Sequence, residues 1–180
     1  MTVATETRTS ERQGAVTFKG NPLTLIGPEI KPGDQAPDCQ LLRQDLTPVK
    51  LSDAKGKIRL ISVVPSLDTP VCDAQTRRFN EEAATLPSGV EIWTVSMDLP
   101  FAQKRWCGAA SLNDRMQVLS DHKDAGFGLA FGTLIKELRL LARAVFVIDR
   151  QGVVRHAEYV HEVTTHPNYD AALNAVRQLA

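Results

Sequence analysis

Cys39, Cys72 and Cys107 are each separated by more than thirty residues, a spacing that fits neither a zinc-ligand set nor a disulfide-rich scaffold. They must be read one by one. An odd number of cysteines without a secretory signal points to a reducing compartment, where a disulfide is transient and catalytic. Only a thiolate is a nucleophile, and an ordinary thiol with a pKa near ~8.5 is mostly protonated at neutral pH, so a reactive cysteine needs help to ionise. In Asp68-Thr69-Pro70-Val71-Cys72 a capping-type residue precedes a proline suited to a first helical turn. Cys72 is thereby placed among the free N–H groups at the positive end of a helix dipole. The charges of Asp68 and Asp73 oppose ionisation, so a cation must come from elsewhere in the chain. From position alone Cys72 reads equally well as a small apolar residue on a buried helix stripe.

The elements that position these residues follow from hydrophobic periodicity. Val16–Lys19 and Leu23–Ile26 flank Gly20-Asn21-Pro22, a β-hairpin pattern. Ile58–Val64 is a nearly continuous β-branched and apolar run, the mark of a strand covered on both faces, and Pro65 ends it. From Pro70 to Leu86 the period becomes helical, with Cys72, Thr76, Phe79, Ala83 and Leu86 on one stripe. Val90–Met97 is a second core strand, and Pro100–Ala110 a short helix carrying Cys107. Met116–Leu119 and Ala144–Ile148 are further strands, Val153–Val160 pairs with the latter through Asp149-Arg-Gln-Gly152, and Pro167–Leu179 is an amphipathic helix. This order predicts an α/β fold with a mixed sheet flanked by helices, an N-terminal β-hairpin, a flexible tail over residues 1–14 and one domain over 15–180.

Pro65-Ser-Leu-Asp-Thr-Pro-Val-Cys-Asp-Ala-Gln-Thr-Arg-Arg-Phe-Asn80 closely resembles the peroxidatic loop and helix of the bacterial thiol peroxidases, an atypical two-cysteine class of peroxiredoxin. The resemblance runs from Gly20-Asn-Pro-Leu23 through Arg105-Trp-Cys-Gly-Ala109 and Ala142-Arg-Ala-Val145 to Tyr169-Asp-Ala-Ala-Leu173, nearly everything after the tail. It implies the thioredoxin-like peroxiredoxin fold, with the residue matching Cys72 as peroxidatic cysteine and that matching Cys107 as resolving cysteine. By the same resemblance Thr69 hydrogen-bonds the peroxide, and Arg143 supports the thiolate and the substrate oxygen. Read without it, Arg143 is a solvated charge at a strand edge. The implied activity is reduction of hydrogen peroxide and organic hydroperoxides through a Cys72 sulfenic acid and a Cys72–Cys107 disulfide, reset by thioredoxin. Neither a cofactor nor a metal is implied, and proteins resembling this family usually form homodimers.

Lys plus Arg and Asp plus Glu number 21 each over 180 residues, so no net field attracts nucleic acid or an anionic membrane. No apolar run approaches the roughly 20 residues that span a bilayer, and Met1–Gly14 lacks the apolar core of a signal peptide, so a cytoplasmic protein is expected. Cys39 reads as packing, as does Trp106, although a lid over the Cys107 thiol is open to it. His122, His156, His161 and His166 have no metal-ligand spacing and read as surface residues. Two rivals stand beside the peroxidase: a protein thiol–disulfide oxidoreductase, for which the usual C-x-x-C is missing, and a non-enzymatic protein that has kept the fold.

Overall fold

A computed structural model describes residues 10–180. In chain order the elements are β1 (Glu11–Phe18), β2 (Asn21–Ile26), β3 (Gln40–Leu42), β4 (Pro48–Lys50), β5 (Ile58–Val63), α1 (Pro70–Ala83), β6 (Val90–Ser96) and α2 (Pro100–Ala109). These are followed by β7 (Met116–Ser120), α3 (Gly126–Ala130), β8 (Leu134–Ile135), β9 (Ala144–Ile148), β10 (Val154–Tyr159) and α4 (Tyr169–Leu179). Of the tail expected over residues 1–14, the first nine lie outside the described residues, whereas residues 11–14 belong to β1.

The main sheet has the strand order β10-β9-β5-β6-β7-β3-β4. β5, β6 and β7 run parallel, β9 lies antiparallel to β5, and β10 antiparallel to β9, giving the expected mixed sheet with a late hairpin. The opposite edge holds a second hairpin, β3–β4. At three residues each, these strands are too short for alternation to be visible in the sequence. β5 and β9 show why the core strands read as continuous apolar runs. Ile58, Leu60, Val145 and Val147 pack under α1 and α4 with Phe79, Ala83, Leu173 and Val176, whereas Ile61, Val63, Phe146 and Ile148 face the other layer with Phe127 and Phe131.

The N-terminal hairpin does not join this sheet. It pairs instead with β8, a strand absent from the sequence reading, as β1-β2-β8. Its turn is made by Lys19 and Gly20, both with positive φ (50° and 81°), the two-residue geometry that matches strand twist; Pro22 already lies within β2. Glu162 fastens the turn by accepting hydrogen bonds from the backbone N–H groups of Lys19 and Gly20 and from the Thr17 hydroxyl. These donors hold its carboxyl well below the usual range. Among the described residues, no helix is long and apolar enough to cross a membrane.

Candidate active site

α1 begins behind β5, where Pro65 ends the strand and the chain turns through Ser66–Thr69. Thr69 is the N-cap residue in extended conformation, Pro70 follows in the first turn, and the first intrahelical bond is donated by Asp73 N–H to the Thr69 carbonyl at 2.9 Å. The N–H groups of Val71 and Cys72 therefore precede the helical ladder, and Cys72 sits at the positive end of the dipole. Thr69 does not cap with its side chain. Its hydroxyl donates instead to the Ser66 carbonyl at 3.1 Å.

Cys72 is fully buried in the stripe that also buries Thr76, Phe79 and Ala83, as the spacing predicts; Leu86 is buried too, but beyond the end of the helix. What distinguishes Cys72 from a packing cysteine is the Arg143 Nη2 atom, 3.4 Å from its sulfur. Arg143, one residue before β9, is only 2 % exposed, which corrects the reading of it as a solvated edge charge. Three acceptors hold its guanidinium: the Val163 carbonyl on Nε at 3.0 Å, Gln75 Oε1 on Nη1 at 2.7 Å, and Cys72 Sγ on Nη2. The Gln75 amide in turn donates to the Ser62 hydroxyl of β5 at 2.7 Å. All these groups are buried, so the cation is fixed in place before any substrate arrives.

Ser62 and Gln75 were not singled out from the sequence. Each nevertheless carries a readable signal: Ser62 is a polar residue inside an apolar core strand, and Gln75 lies one helical turn from Cys72 on the same buried side. Of the two acids expected to oppose a thiolate, Asp68 is paired with Arg105 at 2.8 Å. Asp73 accepts from Arg77 at 2.9 Å and from Trp106 Nε1 at 2.8 Å, bonds that hold its carboxyl below the usual range. Both charges are thus compensated locally.

A cavity of about 320 Å³ reaches this site, lined by Thr69, Val71 and Arg143 together with Phe18, Lys19 and Val163. Phe18 and Lys19 come from the N-terminal hairpin, so the small sheet walls the approach to Arg143.

The other two thiols occupy different environments. Burial, reinforced by Asp121 and Asp38, pushes Cys39 up to about 12. It is half-buried against the core beside β3, in keeping with a packing role. Cys107, in the last turns of α2, is pushed up to about 11 by burial, against the opposing effect of a hydrogen bond from Gln44 Nε2 to its sulfur at 3.0 Å. Cys72 and Cys107 are both free thiols, and Cys107 packs at the edge of the cluster that holds Cys72, Val64, Leu67 and Trp106. The structure therefore brings Cys72, Thr69 and Arg143 to one place and leaves Cys107 unbonded on a neighbouring helix. Cys39 stands apart. Of the histidines, His122 and His156 depart from the surface expectation: both are half-buried, and burial lowers the pKa of His156 in β10.

The family model described as Redoxin matches residues 31–173. A thiol peroxidase from Halalkalibacterium halodurans is 61% identical over 163 residues, covering 91% of this chain and 97% of its own. One from Bacillus subtilis is 59% identical with the same coverage. Among solved structures, a peroxiredoxin-like protein from Aquifex aeolicus superposes with a TM-score of 0.86 at 43% identity, over 93% of this chain and 99% of that one. A thiol peroxidase from Chromobacterium violaceum, at 19% identity and a TM-score of 0.81 over 91% and 95% of the two chains, shares the fold.

Proposed function

Since the chain belongs to the redoxin family, and within it to the bacterial thiol peroxidases, it is a thiol-dependent peroxidase, and we propose that Cys72 is the peroxidatic and Cys107 the resolving cysteine. The observation that carries this assignment is the Arg143 guanidinium on the Cys72 sulfur at 3.4 Å, set against two other thiols that burial keeps protonated.

In the first step the Cys72 thiolate attacks one oxygen of the hydroperoxide, the O–O bond breaks, and the other oxygen leaves as an alkoxide or hydroxide that takes a proton. Arg143 and the free N–H groups of α1 supply donors where that negative charge develops, so they act on the transition state more than on the ground state, while the Thr69 hydroxyl, whose proton goes to the Ser66 carbonyl, accepts from the hydroperoxide O–H. Cys72 is left as a sulfenic acid. In the second step the Cys107 sulfur displaces the sulfenic oxygen as water and forms the disulfide. Thioredoxin then reduces it through its own dithiol. The apolar lining of the cavity, from Phe18, Val71 and Val163, supports organic hydroperoxides as substrates beside hydrogen peroxide.

The exposed side chains of Leu99 and Phe101, 53% and 65% accessible at the start of α2, support association with a second copy of the chain. Three free cysteines support a reducing compartment, and the cytoplasm is the one we propose. Peroxide consumption coupled to thioredoxin, thioredoxin reductase and NADPH tests the scheme on three variants. Cys72→Ser is expected to abolish turnover, Cys107→Ser to allow one oxidation without recycling, and Cys39→Ser to retain most activity. Equal losses in all three variants refute the assignment.

A further inference from the structure

One hydrogen bond joins the residue after Cys72 to the residue before Cys107: Trp106 Nε1 donates to Asp73 Oδ1 at 2.8 Å. Trp106 is 8% exposed, and its ring lies in the cluster that contains Cys72, Val64, Leu67 and Val118. The second oxygen of Asp73 accepts from Arg77 Nε at 2.9 Å, and the Arg77 guanidinium stacks on the Trp106 ring at 5.4 Å from its centroid. Asp73, Arg77 and Trp106 thus form a closed ring of contacts between the first turns of α1 and the end of α2. Two further ties run in parallel. Arg105 pairs with Asp68 at the surface, and Asp98, just ahead of α2, accepts from the Ser66 hydroxyl and the Leu67 N–H in the loop ahead of α1. The surface pair is solvated and contributes little. The indole bond is made to a charged carboxylate in a partly buried place and is the stronger kind.

Cys107 is not bonded to Cys72, and its sulfur is engaged by Gln44 in the turn between β3 and β4. Forming the disulfide takes the Cys107 sulfur away from Gln44 and toward Cys72, a displacement carried by the end of α2. Trp106 is the neighbour of Cys107 in the chain and must move with it.

We propose that Asp73 and Trp106 are positioning residues that hold α1 and α2 wound around Cys72 and set the rate at which Cys107 reaches its sulfenic acid. The proposal rests on the assignment of Cys72 and Cys107 above. The step it governs is Cys72–SOH plus Cys107–SH giving the disulfide and water, with no other reactant. While the ring of contacts is closed, Cys72 keeps its donors and the sulfenic acid waits; when it opens, the cluster over Cys72 loses the indole and Cys107 is released. A slower opening leaves the sulfenic acid longer in the presence of peroxide, so the same contacts set the yield of over-oxidised sulfinic acid.

Trp106→Phe keeps an aromatic ring in the cluster and removes only the donor. Rapid mixing of the reduced protein with peroxide, followed by thiol and sulfenic-acid trapping and intact-mass analysis, reads both steps. The expected result is disulfide formation about tenfold faster than in the wild type, the loss of one hydrogen bond to a charged group. The closed form remains the major one, so formation of the sulfenic acid on Cys72 slows by far less than the disulfide step accelerates, and sulfinic acid at high peroxide is reduced. Asp73→Asn retains an oxygen for the indole and loses the charge, so it is expected to fall between the two, and it carries the same test where Trp106→Phe does not fold. Val176→Ala, a cavity in the α4 core that lowers stability away from the contact, is expected to leave the disulfide rate at its wild-type value. Disulfide formation at the wild-type rate or slower in Trp106→Phe, or equal acceleration in Val176→Ala, overturns the proposal. A wild-type protein that never forms a Cys72–Cys107 disulfide overturns the underlying assignment as well, which separates the two failures.

Discussion

Three cysteines of one chain differ chiefly in what replaces water around the sulfur. Arg143 has three hydrogen-bond directions in use, on Val163, Gln75 and Cys72, a fork that lysine cannot reproduce. Arg143→Lys is expected to lower kcat/KM for hydroperoxide by about 100-fold, the scale of losing one fixed donor at a developing charge. Arg143→Ala should add a folding defect of about 2–4 kcal/mol, since the buried Gln75 oxygen and Val163 carbonyl lose their donor, and chemical denaturation measures it. Cys39 supplies a pH test. Its thiol is held protonated in the folded chain up to about 12, whereas in the unfolded chain it ionises near the ordinary 9.0. Burial of the neutral thiol thus contributes stability that is complete below about pH 9 and drains away as the pH rises towards about 12. Cys39→Ser is expected to lose less stability than the wild type across that interval. Parallel curves for the two proteins contradict the burial argument.

At the scale of elements, helix starts carry most of the polar design. α1 uses Thr69 and Pro70 to stop the chain and present free N–H groups, without spending the Thr69 side chain on capping. α3 is started by Asp121, whose carboxylate accepts from the N–H groups of Phe127 and Gly128 at 3.0 and 2.8 Å. Asp121 is nevertheless pushed up to about 6, because its burial outweighs those two bonds. Its folded-state pKa lies above the unfolded one, so the stabilising form is the protonated one, complete below about pH 4 and lost as the pH rises through about 6. Asp121→Asn keeps an acceptor for α3 and has no charge to bury. Relative to the wild type, its Tm is expected to be higher at pH 7.5 than at pH 4.5. A difference independent of pH removes the charge of Asp121 from the account of α3.

For the whole molecule, the expected device is local unwinding within an otherwise fixed sheet. Helix ends carry few intrahelical bonds, so α1 and α2 can give way while β5, β6 and β9 stay buried on both faces. Amides of residues 70–76 and 103–110 are expected to exchange faster with solvent in the oxidised protein than in the reduced one. The raised pKa of Cys107 points the same way, since a thiol that burial holds near 11 regains its ordinary ionisation once α2 unwinds. Equal protection in the two states speaks against this motion. Light scattering checks the proposed association: wild-type chains are expected to run as dimers and Phe101→Asp as monomers, because the substitution puts a charge on the most exposed large apolar side chain at the start of α2.

Amino-acid order alone determined the core strands, the helices bearing Cys72 and Cys107, the mixed sheet and the cysteine at a helix start, since local period and turn chemistry declare themselves over a few residues. It singled out Arg143 only through resemblance, because an arginine before a strand looks the same whether it is solvated or buried. Tertiary structure decided the rest. Contacts across 71 residues join Arg143 to Cys72, contacts across 68 join it to Gln75, and Trp106 meets Asp73 across 33. The pairing of the N-terminal hairpin with β8 crosses more than a hundred residues. No sequence period extends over such separations, since they are set by which faces of distant elements are buried together.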